Sequence, residues 1–229
     1  MSSPTNLGGK TYQCVSMPTS PGLSQVGVDM VDAVAVVSSP FVPGQSQTQA
    51  WPGADLWTMT ITLPKLTAAQ AAAWRGFIAE LRGMQNIFQL GDPFGTAPRG
   101  VALGAPVATT VDPTLNLASA ITLATAGWTP NINGQLKAGD YISLLSCPSL
   151  GSPGVNSYRL HQVCEDVNSD ANGDATITIW PSLREAPPSG LPLILRNTTG
   201  TFRLAQNRRG WQNDFGRLSS ISLKCVEAR

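Results

Sequence analysis

The side chains able to do chemistry in this sequence are few and scattered. Its single histidine, His161, lies between Arg159 and Gln162 in an alternating, strand-like stretch. A general base needs an orienting partner and an open approach, and a lone strand histidine reads as a packed or surface residue. Glu165 and Asp166 are adjacent, so on a strand they point to opposite faces, which is poor geometry for an acid/base pair. The chain has no G-x-S-x-G, H-E-x-x-H or phosphate-binding loop, and no G-x-G-x-x-G after a strand. It is not expected to be an enzyme, and no catalytic residue is assigned.

Asn168, Asp170, Asn172, Gly173 and Asp174 imitate the first seven positions of a calcium loop, including the glycine at the sixth. The twelfth position, where a bidentate glutamate belongs, is Ile179. A hairpin turn between two strands, running from Asn168 to Asp174 with Asn172-Gly173 favouring a tight hairpin, explains the same residues. Cys14, Cys147, Cys164 and Cys225 are widely spaced and offer no C-x-x-C clamp, so they read as free thiols. No metal and no cofactor is expected. Phe202, Arg208, Arg209, Trp211 and Phe215, within Arg203–Arg217 and just before it, mix rings with cations as single-strand nucleic-acid surfaces do, but no nucleic-acid module surrounds them.

The elements that must carry these residues are mostly strands. Val26–Val37 is a β-branched run that reads as one strand, ended by Pro40, Pro43 and Gly44, with 38–54 as a loop. Trp57, Met59, Ile61 and Leu63 alternate with Thr58, Thr60 and Thr62 until Pro64. Thr67 and Gln70 form a capping box ahead of a helix whose Trp74, Phe77, Ile78 and Leu81 make one apolar stripe. Gly83 suits the left-handed position that ends it. The two apolar sets are expected to pack on each other. Asn86–Leu90 reads as a further strand, and Thr96–Pro113 as a connection without periodicity. Short strands follow at Ala120–Thr125, Asp140–Leu145, Tyr158–Val167, Ala175–Trp180, Leu191–Arg196, Thr201–Ala205 and Arg217–Val226, a spacing typical of small barrels or sandwiches.

Composition narrows the class. Charged residues make up only 13% of the 229 while hydrophobic residues make up 42%, enough for a substantial core and few charges to keep a surface in water. Such a chain suits a subunit whose surface meets other protein. The net charge of +1 argues against a protein that grips nucleic acid with its whole surface. Seven cations against two carboxylates nevertheless gather in residues 196–229. No apolar run is long enough to span a membrane, and Met1–Lys10 lacks the layout of a signal peptide.

The run from Trp57 to Pro64, the Trp74 helix, Leu81-Arg82-Gly83 and Phe88-Gln89-Leu90-Gly91-Asp92-Pro93 resemble distal tail proteins of long-tailed bacteriophages. So do Gly139-Asp140-Tyr141, Tyr158–Val167, Ile179-Trp180-Pro181 through Arg184, and Phe202-Arg203-Leu204 with Trp211. The resemblance covers roughly 50–229 and rests on structural signatures. It implies a mainly β fold with one prominent α-helix: a tail-tube-like β-sandwich or barrel from 1–95 and 200–229, and a second small β-barrel or sandwich projecting from 100–198. It implies a structural virion protein of the tail tip, made in the host cytoplasm. Six copies would close a ring that joins the tail tube to the tail-tip hub. The implied partners are itself, the tube protein and the hub proteins, with DNA as cargo in the channel and no membrane insertion. Trp57, Met59, Ile61, Leu63, Trp74, Phe77, Ile78 and Leu81 would be the structural core behind that assembly. The alternatives are another tube or minor tail component, or a carbohydrate-binding module. Exposed Trp128, Tyr141 or Trp180 would favour the last.

Overall fold

The computed structural model describes residues 4–7, 10–42, 44–51, 53–109, 120–145, 158–183, 186–214, 216 and 218–228. Pro43, Cys147, Arg184, Phe215, Arg217 and Arg229 lie outside them, as do 110–113 at the end of the expected connection. The strands, in chain order, begin with β1 (Pro4–Leu7), β2 (Lys10–Gln13), β3 (Gln25–Val31), β4 (Val34–Ser38), β5 (Ser46–Ala50) and β6 (Leu56–Thr62). After helix α1 (Ala68–Glu80) come β7 (Phe88–Leu90), β8 (Gly104–Ala108), β9 (Ala120–Trp128), β10 (Tyr141–Leu145) and β11 (Tyr158–Val163). The last are β12 (Ala175–Leu183), β13 (Leu191–Ile194), β14 (Gly200–Leu204), β15 (Gln212–Asn213), β16 (Ser219–Ser220) and β17 (Ser222–Glu227). The fold is mainly β with one helix among the described residues.

Two bodies of sheet dominate. One is five-stranded in the order β3-β6-β17-β14-β7, so the chain leaves it after β7 and returns at β14. The strict alternation of β6 buries Trp57, Met59 and Ile61 on one face and leaves the threonines half-buried on the other. Cross-strand partners continue both faces: Met59 faces Val28 on β3 and Cys225 on β17, and Thr60 faces Gly27 and Lys224. Helix α1 lies on the buried face. The backbone N–H of Thr67 donates to Gln70 Oε1 at 3.0 Å, completing one half of the capping box. At the other end, Arg82 (φ 48°) and Gly83 (φ 71°) are both left-handed, and a Cβ on Gly83 would sit 2.6 Å from Asn207 Oδ1.

The other body is a closed six-stranded barrel in the order β10-β11-β12-β9-β8-β13, drawn entirely from residues 104–194. Its interior is a separate apolar cluster that includes Leu123, Leu136, Ile142, Ile177 and Ile179. Closing a sheet on itself leaves no open edge to pair with another chain.

Several sequence expectations are corrected. The Val26–Val37 run is two strands, broken at Asp32-Ala33, where Asp55 Oδ1 accepts the Ala33 N–H at 3.4 Å. Valines on both faces hide such a break from a period-2 reading. The expected loop 38–54 contains β5, which pairs with β4 as a hairpin. Its Ser-Gln-Thr-Gln-Ala sequence shows no alternation because neither of its faces is buried. The connection from Thr96 contains β8, which closes the barrel against β9 and β13; Pro106 and a register shift obscure it. The turn expected over Asn168–Asp174 between two strands is present but longer, and no tight hairpin forms at Asn172-Gly173. An eleven-residue connection, 164–174, joins β11 to β12 and folds back on Ile132 and Leu136 through backbone pairs from Ser169 and Val167. Glu165 and Asp166 belong to that connection and to no strand.

Candidate assembly surface

The hairpin β4–β5 projects with almost nothing covering it. Every residue of β5 is exposed, as is every residue of β4 except Ala35. Val36 is 62% exposed, Val37 65% and Phe41 90%. From residue 33 to residue 54 there is not one charged side chain. Isolated two-stranded hairpins are marginal in water, and free strand edges are normally guarded by lysine, proline or a bulge. Here a long arm has neither charge nor cover. Adjacent to it, β3 is the open edge of the five-stranded sheet, with Met30 and Val31 exposed. Phe94, 97% exposed in the turn after β7, adds a further bare aromatic.

The root of this arm is fixed. The Trp51 N–H donates to Ala33 O at 2.9 Å, Trp180 Nε1–H donates to Asp32 Oδ1 at 2.8 Å, and the Gly53 N–H donates to Ser182 Oγ at 3.2 Å. Trp180 and Ser182 belong to β12, so the barrel holds both legs of a hairpin that springs from the other sheet.

Behind the arm lies a tight seam between sheet and barrel. Trp57 is fully buried; its Nε1–H donates to Leu160 O on β11 at 2.9 Å. Its ring meets Trp180 edge-on at 4.6 Å and Tyr141 at 6.0 Å. Arg159 reaches across to Glu227 at 3.8 Å and to the carbonyl of Ala228, while the Trp57 N–H donates to Glu227 Oε2. Burial, reinforced by the nearby Asp92 carboxylate that accepts its hydrogen bond, pushes the Tyr141 phenol up to about 12. Asp140, also buried, accepts from the N–H groups of Arg99, Gly100 and Lys137 and from Arg99 Nε, which pins the turn before β10. Trp57, Gly139-Asp140-Tyr141 and Trp180-Pro181, far apart in sequence, therefore meet at one place.

The eight residues picked out as core, Trp57, Met59, Ile61, Leu63, Trp74, Phe77, Ile78 and Leu81, all belong to a single buried cluster. All eight are buried, with Leu63 lining a surface groove, so they can shape an assembly contact more than make it. The residues able to touch a partner, Val36, Val37, Phe41 and Trp51, went unnoticed in the sequence. The signal for them was the run of 22 uncharged positions between Asp32 and Asp55.

The remaining candidates for chemistry are engaged elsewhere. His161 is buried, and its Nδ1 lies 2.8 Å from Pro181 O. Glu165 accepts the Thr178 hydroxyl. Asp166 pairs with Lys137 at 2.7 Å, and that contact together with the Ala138 N–H holds its carboxyl below the usual range. Asp170 accepts the N–H groups of Asp174 and Asn172 at 2.8 Å each, which lowers its carboxyl likewise, and Asn168 Oδ1 accepts from Gly134. Two of the calcium-like loop's oxygen donors, Asn168 and Asp170, thus hold backbone N–H groups. Among the described residues no three of His, Cys, Asp and Glu converge, and Cys14, Cys164 and Cys225 are free thiols. The three rings that would mark a glycan-binding barrel are packed: Trp128 is buried, with Nε1–H donating to Thr125 Oγ1 at 2.8 Å, while Tyr141 and Trp180 belong to the seam. No helix among the described residues is long and apolar enough to cross a membrane. Compared with known protein families and with curated proteins, the chain finds no match.

Proposed function

We propose that this chain is a ring-forming structural subunit of a phage tail tip, seated between tail tube and tail-tip hub around the DNA channel. The observation that carries the reading is the uncharged, rigidly rooted arm beside an open sheet edge. A neighbouring copy that takes the arm along its own edge would hide Val36, Val37 and Phe41 and pair the free backbone groups of β3. The resemblance of residues 50–229 to distal tail proteins supports the same conclusion. No reacting group is required.

The test is the mass of the intact protein by light scattering across concentrations, with negative-stain images of the same samples. Closed rings with an open centre are expected, and the double variant Val36→Lys, Val37→Lys should stay monomeric at an unchanged melting temperature. Rings formed equally well by that variant would overturn the role of the arm. A wild-type chain that stays monomeric, both alone and with tube protein, would overturn the ring.

A further inference from the structure

At the opposite end of β6 from the arm, six residues or about 20 Å along the strand, the surface has a different character. Trp211 is 44% exposed there, with the Arg75 guanidinium 5.7 Å from its ring centroid. The ring forms one wall of a groove of about 460 Å³ whose other polar walls are Thr62, Gln212, Ser220 and Ser222. Ser220 Oγ accepts from Lys65 Nζ at 3.5 Å, and the rest of that wall presents the short polar side chains of Thr62, Gln212 and Ser222. Past Gly210 and Ser222, which border both, lies a smaller groove of about 140 Å³ lined by Arg208, Arg209 and Lys224. Arg209 is anchored by donating to Ile78 O, and among the described residues no carboxylate lines either groove.

These parts match one kind of ligand. A pyranose has a face of C–H groups that packs on an indole and a rim of hydroxyls that suits short neutral donors and acceptors. Cations stand beside both grooves, Arg75 and Lys65 at the first and Arg208, Arg209 and Lys224 at the second, and there carboxylates would make charge-assisted hydrogen bonds. A nucleic-acid strand would call for several stacking rings, and among the described residues these grooves hold one, Trp211. We propose that the Trp211 groove binds an acidic saccharide, with a sugar ring on Trp211 and its carboxylate toward Arg208 and Lys224. The site is separate from the arm, and the proposal does not depend on how the subunits assemble.

The test titrates the intact protein with tri-galacturonate, a glucuronate trisaccharide and sialyllactose, using maltotriose and lactose as neutral controls and a six-nucleotide oligothymidylate as the nucleic-acid control. Tryptophan fluorescence and calorimetry supply the readout. At least one acidic probe should bind with a Kd between about 10 μM and 1 mM. Trp211→Ala should weaken it at least tenfold, and Arg208→Ala with Lys224→Ala should reduce it to the affinity of the neutral controls. Both variants should melt where the parent does, which separates loss of a site from loss of fold. Failure of all three acidic probes to bind overturns the proposal. So does binding that survives Trp211→Ala, or a groove that takes oligothymidylate and none of the saccharides.

Discussion

Trp57 and Trp74 are both fully buried, in the same core, yet their indole N–H groups have opposite fates. Trp57 donates to the Leu160 carbonyl at 2.9 Å, whereas Trp74 Nε1 finds no hydrogen-bond partner among the described residues. Replacing each with phenylalanine removes a similar volume, roughly 40 Å³, which at about 24 cal/mol per Å³ is worth about 1 kcal/mol. Beyond that the two variants diverge. Trp57→Phe strands a buried carbonyl, at about 1–3 kcal/mol, and weakens the edge contact with Trp180, for a total near 2–4 kcal/mol. Trp74→Phe deletes an unpaired buried donor, and the relief offsets part of the cavity, leaving about 0–1 kcal/mol. Urea unfolding followed by circular dichroism reads the gap. With a slope of about 2 kcal/mol/M, a 2 kcal/mol difference separates the midpoints by about 1 M, provided the slopes stay equal. Should Trp74→Phe prove as damaging as Trp57→Phe, the hydrogen bond across the seam is not what makes Trp57 matter, and the reasoning is refuted.

Truncating Trp74 to alanine is a different perturbation: it empties the space between helix and sheet and should cost about 3–5 kcal/mol, so an unchanged melting temperature would contradict the packing described. Gly173→Ala should be severely destabilising, since φ is +80° and a Cβ would lie 2.3 Å from the backbone oxygen of Trp128; a melting point within a degree of wild type would contradict that geometry. Burial pushes the Cys225 thiol from its ordinary 9.0 up to about 12. The folded state therefore keeps a proton that the unfolded chain gives up first, so this contribution is intact below about pH 9 and is lost as pH climbs toward 12. Melting temperatures should fall across that window, and Cys225→Ala should flatten the fall; an identical slope in the variant would assign it elsewhere. In native protein a thiol reagent should modify exposed Cys164 readily and Cys225 only on unfolding, as peptide mapping would reveal.

How much of this was legible in the sequence depends on which side of the chain faces apolar matter. Strand β6 and helix α1 were readable because each buries one face and wets the other, so period 2 and period 3.6 are written into Trp57–Leu63 and Trp74–Leu81. Strand β5 was not, because it buries neither face, and β8 was not, because Pro106 and a bulge leave too short a pattern to register. The seam was half legible. Gly139-Asp140-Tyr141 and Trp180-Pro181 stood out as motifs, but their convergence on Trp57 is a matter of topology, since β10 and β12 reach β6 only once the barrel has closed. The arm shows the converse. Periodicity searches look for contrast between two faces, and an element covered on both sides by other subunits has none to offer. Its signature is an absence of charge from Ala33 to Ala54, as the proposed cover by another subunit would produce. A surface meant for another subunit is thus best sought where a strand-forming segment lacks both alternation and charge. If that is the origin of the pattern, lysines at Val36 and Val37 should leave the fold intact while abolishing assembly, because they restore the guard that free strand edges normally carry.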